Sequence, residues 1–168
     1  QTIEWTPVWS LTHKMRRYLP TAYCYYAYPV VDAPWCRADS NGCAAGNTIE
    51  EAILQGFLEL VERDAVAIWW YNEVVRPDVD LTTFSHPFVE KMIADYGRAN
   101  RSLRVIDLTN DLDIPVFAAV STGVSDAEPL FLGFGAHLNA ETALLRALTE
   151  LNQWWSGLEL GLRPASFA

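Results

Sequence analysis

Residues 47–71, NTIEEAILQGFLELVERDAVAIWWY, dictate a long helix. Asn47 or Thr48 stands where an N-cap is needed, and Glu50 or Glu51 follows three residues on, the spacing of a capping box. Placed at ~100° per residue, Ile53, Leu54, Phe57, Leu58, Val61, Ala65 and Ile68 share one arc. A helix over 48–71 would lay that arc on a core and hold Gln55, Glu59, Glu62 and Arg63 off it. The aromatic run Trp69-Trp70-Tyr71-Asn72, with Pro77 beyond, marks its end.

Downstream, the pattern predicts a second helix over 88–98 and short strands over 103–108, 116–121 and 130–134, with turns at 110–111 and 126–127. A last helix over 140–160 follows, with Leu144, Leu148, Leu151, Trp155 and Leu158 as its apolar stripe. Upstream, 4–12 and 22–31 are rich in Trp, Tyr and Val and read as strands, and 31–47 has the composition of a loop. Strands grouped before helices, with few crossovers of βαβ length, predict an α+β fold in which a mostly antiparallel sheet packs on long amphipathic helices. No repeat or low-complexity linker divides the chain, so 1–168 reads as a single domain or most of one.

Composition narrows the function. The 168 residues are 51% apolar and 20% charged, enough for a globular core. A formal net charge of −9 argues against a nucleic-acid surface, and Lys14-Met15-Arg16-Arg17 is the one dense basic patch. No apolar run reaches the ~18 residues of a membrane span, and no signal peptide is visible. Cys24, Cys36 and Cys43 are odd in number and lack CxxC spacing, so they read as reduced thiols of a cytoplasmic protein. His13, His86 and His137 are scattered without zinc-site spacing.

Glu59 and Glu62 are three apart, so their like charges meet on the helix surface unless a cation lies between them. Magnesium is such a cation, taking one or two carboxylates together with phosphate oxygens. A solvated face with a Glu59–Arg63 ion pair would look the same. On the last helix Arg146, Glu150 and Gln153 fall together opposite the leucine stripe, with Glu141 at its edge. The loop 40–46 is rich in small residues but lacks the lysine of a phosphate-binding Walker loop. His137 as a general base and Cys43 as a nucleophile are weaker signals than structural roles for both.

The words of the sequence carry more. Residues 40–53, SNGCAAGNTIEEAI, and 59–65, ELVERDA, resemble the central segment of YcaO-family proteins, and GFGAH at 133–137 with ALLRALTE at 143–150 resembles that family's second motif-bearing helix. The family's SxxExxER motif stands here as Gly56-x-x-Glu59-x-x-Glu62-Arg63, with glycine at the serine position. The resemblance covers nearly the whole chain, and a YcaO domain is considerably longer, so the chain is expected to be a fragment of a larger YcaO-type domain.

That resemblance implies an ATP- and magnesium-dependent enzyme that activates peptide backbone amides. It is similar above all to azoline-forming cyclodehydratases of ribosomally made, bacteriocin-like peptides. In that chemistry a Cys, Ser or Thr side chain attacks the preceding carbonyl, the oxyanion takes the γ-phosphoryl group of ATP, and phosphate loss leaves the azoline. The resemblance implies Glu59, Glu62, Glu150 and Glu141 as magnesium ligands, and Arg63 and Arg146 as contacts to phosphate or to the carboxylates. It implies Gln153, Ser40 and Asn41 as nucleotide contacts. Implied partners are a precursor peptide and a leader-binding protein or domain, with homo-oligomers allowed, while the fragment alone is expected to be inactive. Thioamide or amidine formation, help to a methylthiotransferase, and a non-catalytic docking scaffold are the alternatives.

Overall fold

The computed structural model describes residues 3–26, 28, 36, 38–125 and 128–159, the side chains of 156–159 excepted. They divide into two units between Cys43 and Ala44. In the first, β1 (Trp5–Ser10) and β2 (Met15–Pro20) make an antiparallel hairpin with Trp5 opposite Pro20 and Ser10 opposite Met15. Its turn is closed by Ser10, whose Oγ accepts the His13 amide at 3.2 Å, and by Lys14 at φ 50°. The strand expected over 22–31 is not found in its described part. Thr21–Cys24 forms a single helical turn, α1, entered from Pro20, and residues 27 and 29–31 lie outside the described set. The partner of β1 is instead MRRYLP, a cationic segment whose apolar alternation is too weak to read from sequence.

The second unit opens with α2 (Ile49–Tyr71). Thr48 caps it, its Oγ1 accepting the Glu51 amide at 3.2 Å, while the Glu51 carboxylate reaches back to the Asn47 amide at 2.7 Å. Glu50 and Glu51 in the first turn also oppose the positive end of the helix dipole. A 3-10 turn (Leu81–Thr83) leads to α3 (Pro87–Arg98), which His86 caps by accepting the Phe88 amide on Nδ1 at 3.1 Å. Then come β3 (Arg104–Asp107), β4 (Val116–Ser121), β5 (Phe131–Ala136) and α4 (Ala140–Glu159). The turn expected at 126–127 and the helix end at residue 160 lie outside the described residues.

The three strands form an antiparallel sheet with β4 in the middle. Alternate residues of β4 enter different cores. Val116 and Ala118 join Val61 and Ala65 of α2. Phe117 and Ala119 join Val89, Met92 and Tyr96 of α3 and Ala143, Leu144, Ala147, Leu148 and Leu151 of α4. The sheet is therefore covered on both faces, by α2 on one and by α3 and α4 on the other, which is why VFAAVS shows no polar alternation. The predicted α+β class and antiparallel sheet are what the chain adopts, in three layers. The apolar arc expected on α2 is narrower in fact. Leu58, Val61 and Ala65 are buried, whereas Ile53, Leu54, Phe57 and Ile68 are exposed.

One buried cation ties the end of this sheet. Arg101 donates from Nε to Ser121 Oγ at 3.1 Å, from Nη2 to the carbonyls of Ser121 at 3.2 Å and Pro129 at 2.6 Å, and from Nη1 to Glu128 at 3.3 Å. Its guanidinium lies 4.6 Å from the Phe131 ring centroid and 5.3 Å from that of Trp155. Among the described residues no helix is long and apolar enough to cross a membrane. Cys24, Cys36 and Cys43 are free of disulfides.

Candidate functional site

The strand order β3-β4-β5 leaves β5 at the edge of the sheet, and its outward-facing backbone groups need partners. Side chains from both covering helices supply them. Glu150, on α4, accepts the Phe134 amide at 2.6 Å. Glu62, on α2, faces the amide of Ala136, two residues along, which favours its charged form. The Ala136 carbonyl in turn accepts Arg146 Nη1 at 3.1 Å, and Arg146 Nη2 crosses to Gln55 Oε1 on α2 at 2.7 Å. Helices on opposite faces of the sheet thus meet by wrapping polar side chains around one strand edge.

Glu59 and Arg63 complete the group on α2, 3.6 Å apart as the expected i,i+4 pair. Arg63 is only partly satisfied by that pair, since its Nε is buried without a hydrogen-bond partner. Burial pushes the Glu62 carboxyl up to about 7, helped by repulsion from Glu150 and Glu59 and opposed by Arg63 and the Ala136 amide. Burial also raises Glu150, against the stabilising Phe134 amide. Three carboxylates around the Arg63 guanidinium, with water partly removed, make a site that gains from an added cation.

The other predicted residues are placed differently. Glu141 and Gln153 are exposed on α4. Ser40 and Asn41 belong to the first unit, where the Ser40 carbonyl accepts the Cys43 amide at 3.0 Å and the Asn41 amide donates to Asp39 Oδ1 at 2.9 Å. His137 has a structural role, its Nδ1 accepting the Asn139 amide at 3.0 Å in the turn that enters α4. Gln55, the partner of Arg146, was visible only as a polar residue off the apolar arc. Nothing in sequence marked the Phe134 and Ala136 amides, since every residue but proline carries one.

Among the described residues no three His, Cys, Asp or Glu side chains are gathered closely enough to enclose a metal. The residues nevertheless fit magnesium bound together with phosphate. That ion needs only one or two carboxylates from the protein, and here two half-buried carboxylates repel each other beside an arginine nitrogen that lacks an acceptor. A testable consequence concerns the metal-free protein. Glu62 binds its proton more tightly folded than unfolded, so its contribution to stability is complete below about pH 4.5 and is lost as pH rises through about 7. Thermal or urea unfolding in chelator should show stability falling by at most about 3 kcal/mol between pH 5 and pH 8. Glu62→Gln should flatten that slope, and an equal slope in the variant would show that other groups cause it.

An α+β domain whose covering helices bring carboxylates and arginines to one strand edge gathers groups of the kind that suit a divalent cation held together with an anionic ligand. The chain belongs to the YcaO family: the family described as YcaO cyclodehydratase, ATP- and Mg2+-binding, matches residues 1–166. Solved structures agree. The chain is 55% identical to the heterocyclase TruD, with a TM-score of 0.81 over 96% of this chain and 24% of that one. It is 57% identical to a heterocyclase in complex with substrate and cofactor, with a TM-score of 0.87 over 98% of this chain and 22% of that one. YcaO from Methanopyrus kandleri bound with AMPPCP and Mg2+ is 29% identical, with a TM-score of 0.79 over 95% of this chain and 42% of that one. The chain spans less than half the length of each of these and of the curated relatives it matches.

Proposed function

We propose that the full-length protein containing this chain uses ATP and magnesium to cyclodehydrate Cys, Ser or Thr residues of a ribosomally made, bacteriocin-like precursor peptide to azolines. The supporting observation is the convergence of Glu62, Glu150 and Arg146 on the β5 edge in a chain 57% identical to a heterocyclase captured with substrate and cofactor. The substrate thiol or hydroxyl adds to the preceding carbonyl and loses its proton. That addition closes the ring; the carbonyl oxygen then takes the γ-phosphoryl group of ATP, and loss of phosphate with the amide proton forms the C=N bond, giving azoline, ADP and phosphate.

Such transfer is promoted by positioning and charge neutralisation more than by covalent participation of the protein. Magnesium, when bound, neutralises charge on the phosphates. Glu59, Glu62 and Glu150 are the residues that would hold it, with Glu141 further along the exposed side of α4. Arg63, with its unpartnered Nε, and Arg146 orient the carboxylates and meet phosphate oxygens. Gln153, Ser40 and Asn41 contact the nucleotide in this reading. The peptide is brought by a leader-binding protein or domain.

Incubating the full-length protein with magnesium, ATP and a Cys-, Ser- and Thr-containing precursor peptide tests the proposal. Peptide-dependent phosphate release with loss of one water per ring is the expected result. Exchange of oxygen for sulfur in the product would move the reading to thioamide formation, and no magnesium-dependent ATP binding would leave a docking scaffold.

A further inference from the structure

Glu150 and Arg146 reach the β5 edge only because α4 lies unusually close to that strand. Phe131, Gly133 and Gly135 are the β5 residues on the α4 side, since Phe134 and Ala136 lie toward α2. A Cβ added at Gly133 would stand 2.2 Å from the Leu151 amide nitrogen and 2.3 Å from the Ala147 carbonyl oxygen. One added at Gly135 would stand 2.3 Å from the Ala143 carbonyl oxygen and 2.6 Å from the Ala147 amide nitrogen. These obstacles are helix backbone and cannot rotate aside. From its side α4 presents Ala143 and Ala147, both with no exposed surface. At these two positions strand backbone therefore rests on helix backbone.

We propose that Gly133 and Gly135 are positioning residues of the carboxylate site. By seating α4 directly on β5 they bring Glu150 to the Phe134 amide and Arg146 to the Ala136 carbonyl, at the edge where the Ala136 amide faces Glu62. Glu150 accepts from the strand through Oε2, so its other oxygen would serve a cation while the strand holds the carboxylate from behind. Lifting α4 by the width of a methyl group would break a 2.6 Å hydrogen bond and swing Glu150 off the edge. The inference rests on the reading of Glu62 and Glu150 as magnesium ligands.

The test measures ATP binding by calorimetry in the full-length protein as magnesium is varied, alongside the melting temperature. Gly133→Ala and Gly135→Ala should each raise the magnesium concentration for half-maximal ATP binding by about tenfold or more, in line with the steep cost of misplacing ligands by an ångström. Val89→Ala, a core truncation on α3, supplies a comparable loss of melting temperature, and Gly97→Ala supplies a glycine with open space around it. Neither should move the magnesium dependence, and a shift in Val89→Ala as large as in the glycine variants would reduce the effect to general destabilisation and overturn the proposal.

Glu62→Gln and Glu150→Gln separate the two levels of the argument. If they shift the magnesium dependence and the glycine variants do not, the positioning role fails while the ligand assignment stands. If the glutamine variants bind as the unaltered protein does, the ligand assignment itself fails. Amide hydrogen exchange in the unaltered protein needs no folded glycine variant. Phe134 and Ala136 should be protected despite lying on an open strand edge, and fast exchange at both would show the carboxylates are not seated there and overturn the proposal.

Discussion

Replacing Glu62 or Glu150 by alanine in the full-length protein should abolish peptide-dependent ATP hydrolysis, lowering kcat by about 10² to 10³ or more. The two residues stand on different helices yet serve one strand edge, so each loss removes a carboxylate from the same place. Folding should survive. Neither side chain fills the core, and removing one of two mutually repelling half-buried carboxylates relieves repulsion at the cost of at most one strand hydrogen bond. Glu141→Ala, on an exposed stretch of α4, should cost less than either. Steady-state kinetics beside a melting curve is the measurement, and near wild-type turnover in both alanine variants would end the magnesium assignment.

The largest expected effect on stability lies elsewhere, at Arg101. Its side chain is only 6% exposed and donates to two carbonyls, a hydroxyl and a carboxylate. Arg101→Ala would leave the buried Ser121 hydroxyl and carbonyl without their donor and open a space against Phe131 and Trp155. Unsatisfied buried acceptors together with the lost packing cost about 3–5 kcal/mol, which for a chain of this size lowers the melting temperature by roughly ten degrees. Arg101→Lys should recover little, because a single ammonium cannot span acceptors set out for a planar fork. A loss below about 1 kcal/mol by urea unfolding would mean that the network is not formed in solution.

Much of the fold was legible because its signals are local. The Thr48 cap, the acidic first turn and the 3.6-residue period placed α2 within a residue of its observed start, and an unbroken apolar run placed β4. The failures are local ambiguities of a different kind. Residues 15–20, MRRYLP, carry three charged or aromatic side chains and form a strand only because β1 offers a ladder of matching register. Residues 21–24 look like strand by composition but follow Pro20, which ends the ladder, and coil into one turn.

For the site, sequence alone determined which side chains are chemically suited and which of them share a helix surface: Glu59, Glu62 and Arg63 on α2, Arg146 and Glu150 on α4. The words of residues 40–65 and 133–150 also determined the family. Only the tertiary structure decided that these two sets meet, and that they do so from opposite faces of a sheet rather than across a helix interface. Periodicity fixes an angle around each helix axis, but it says nothing about strand order, and strand order is what leaves β5 open. The open edge then supplies backbone donors and acceptors whose identity no side chain announces, and Gly133 and Gly135 supply the close approach that lets α4 use them.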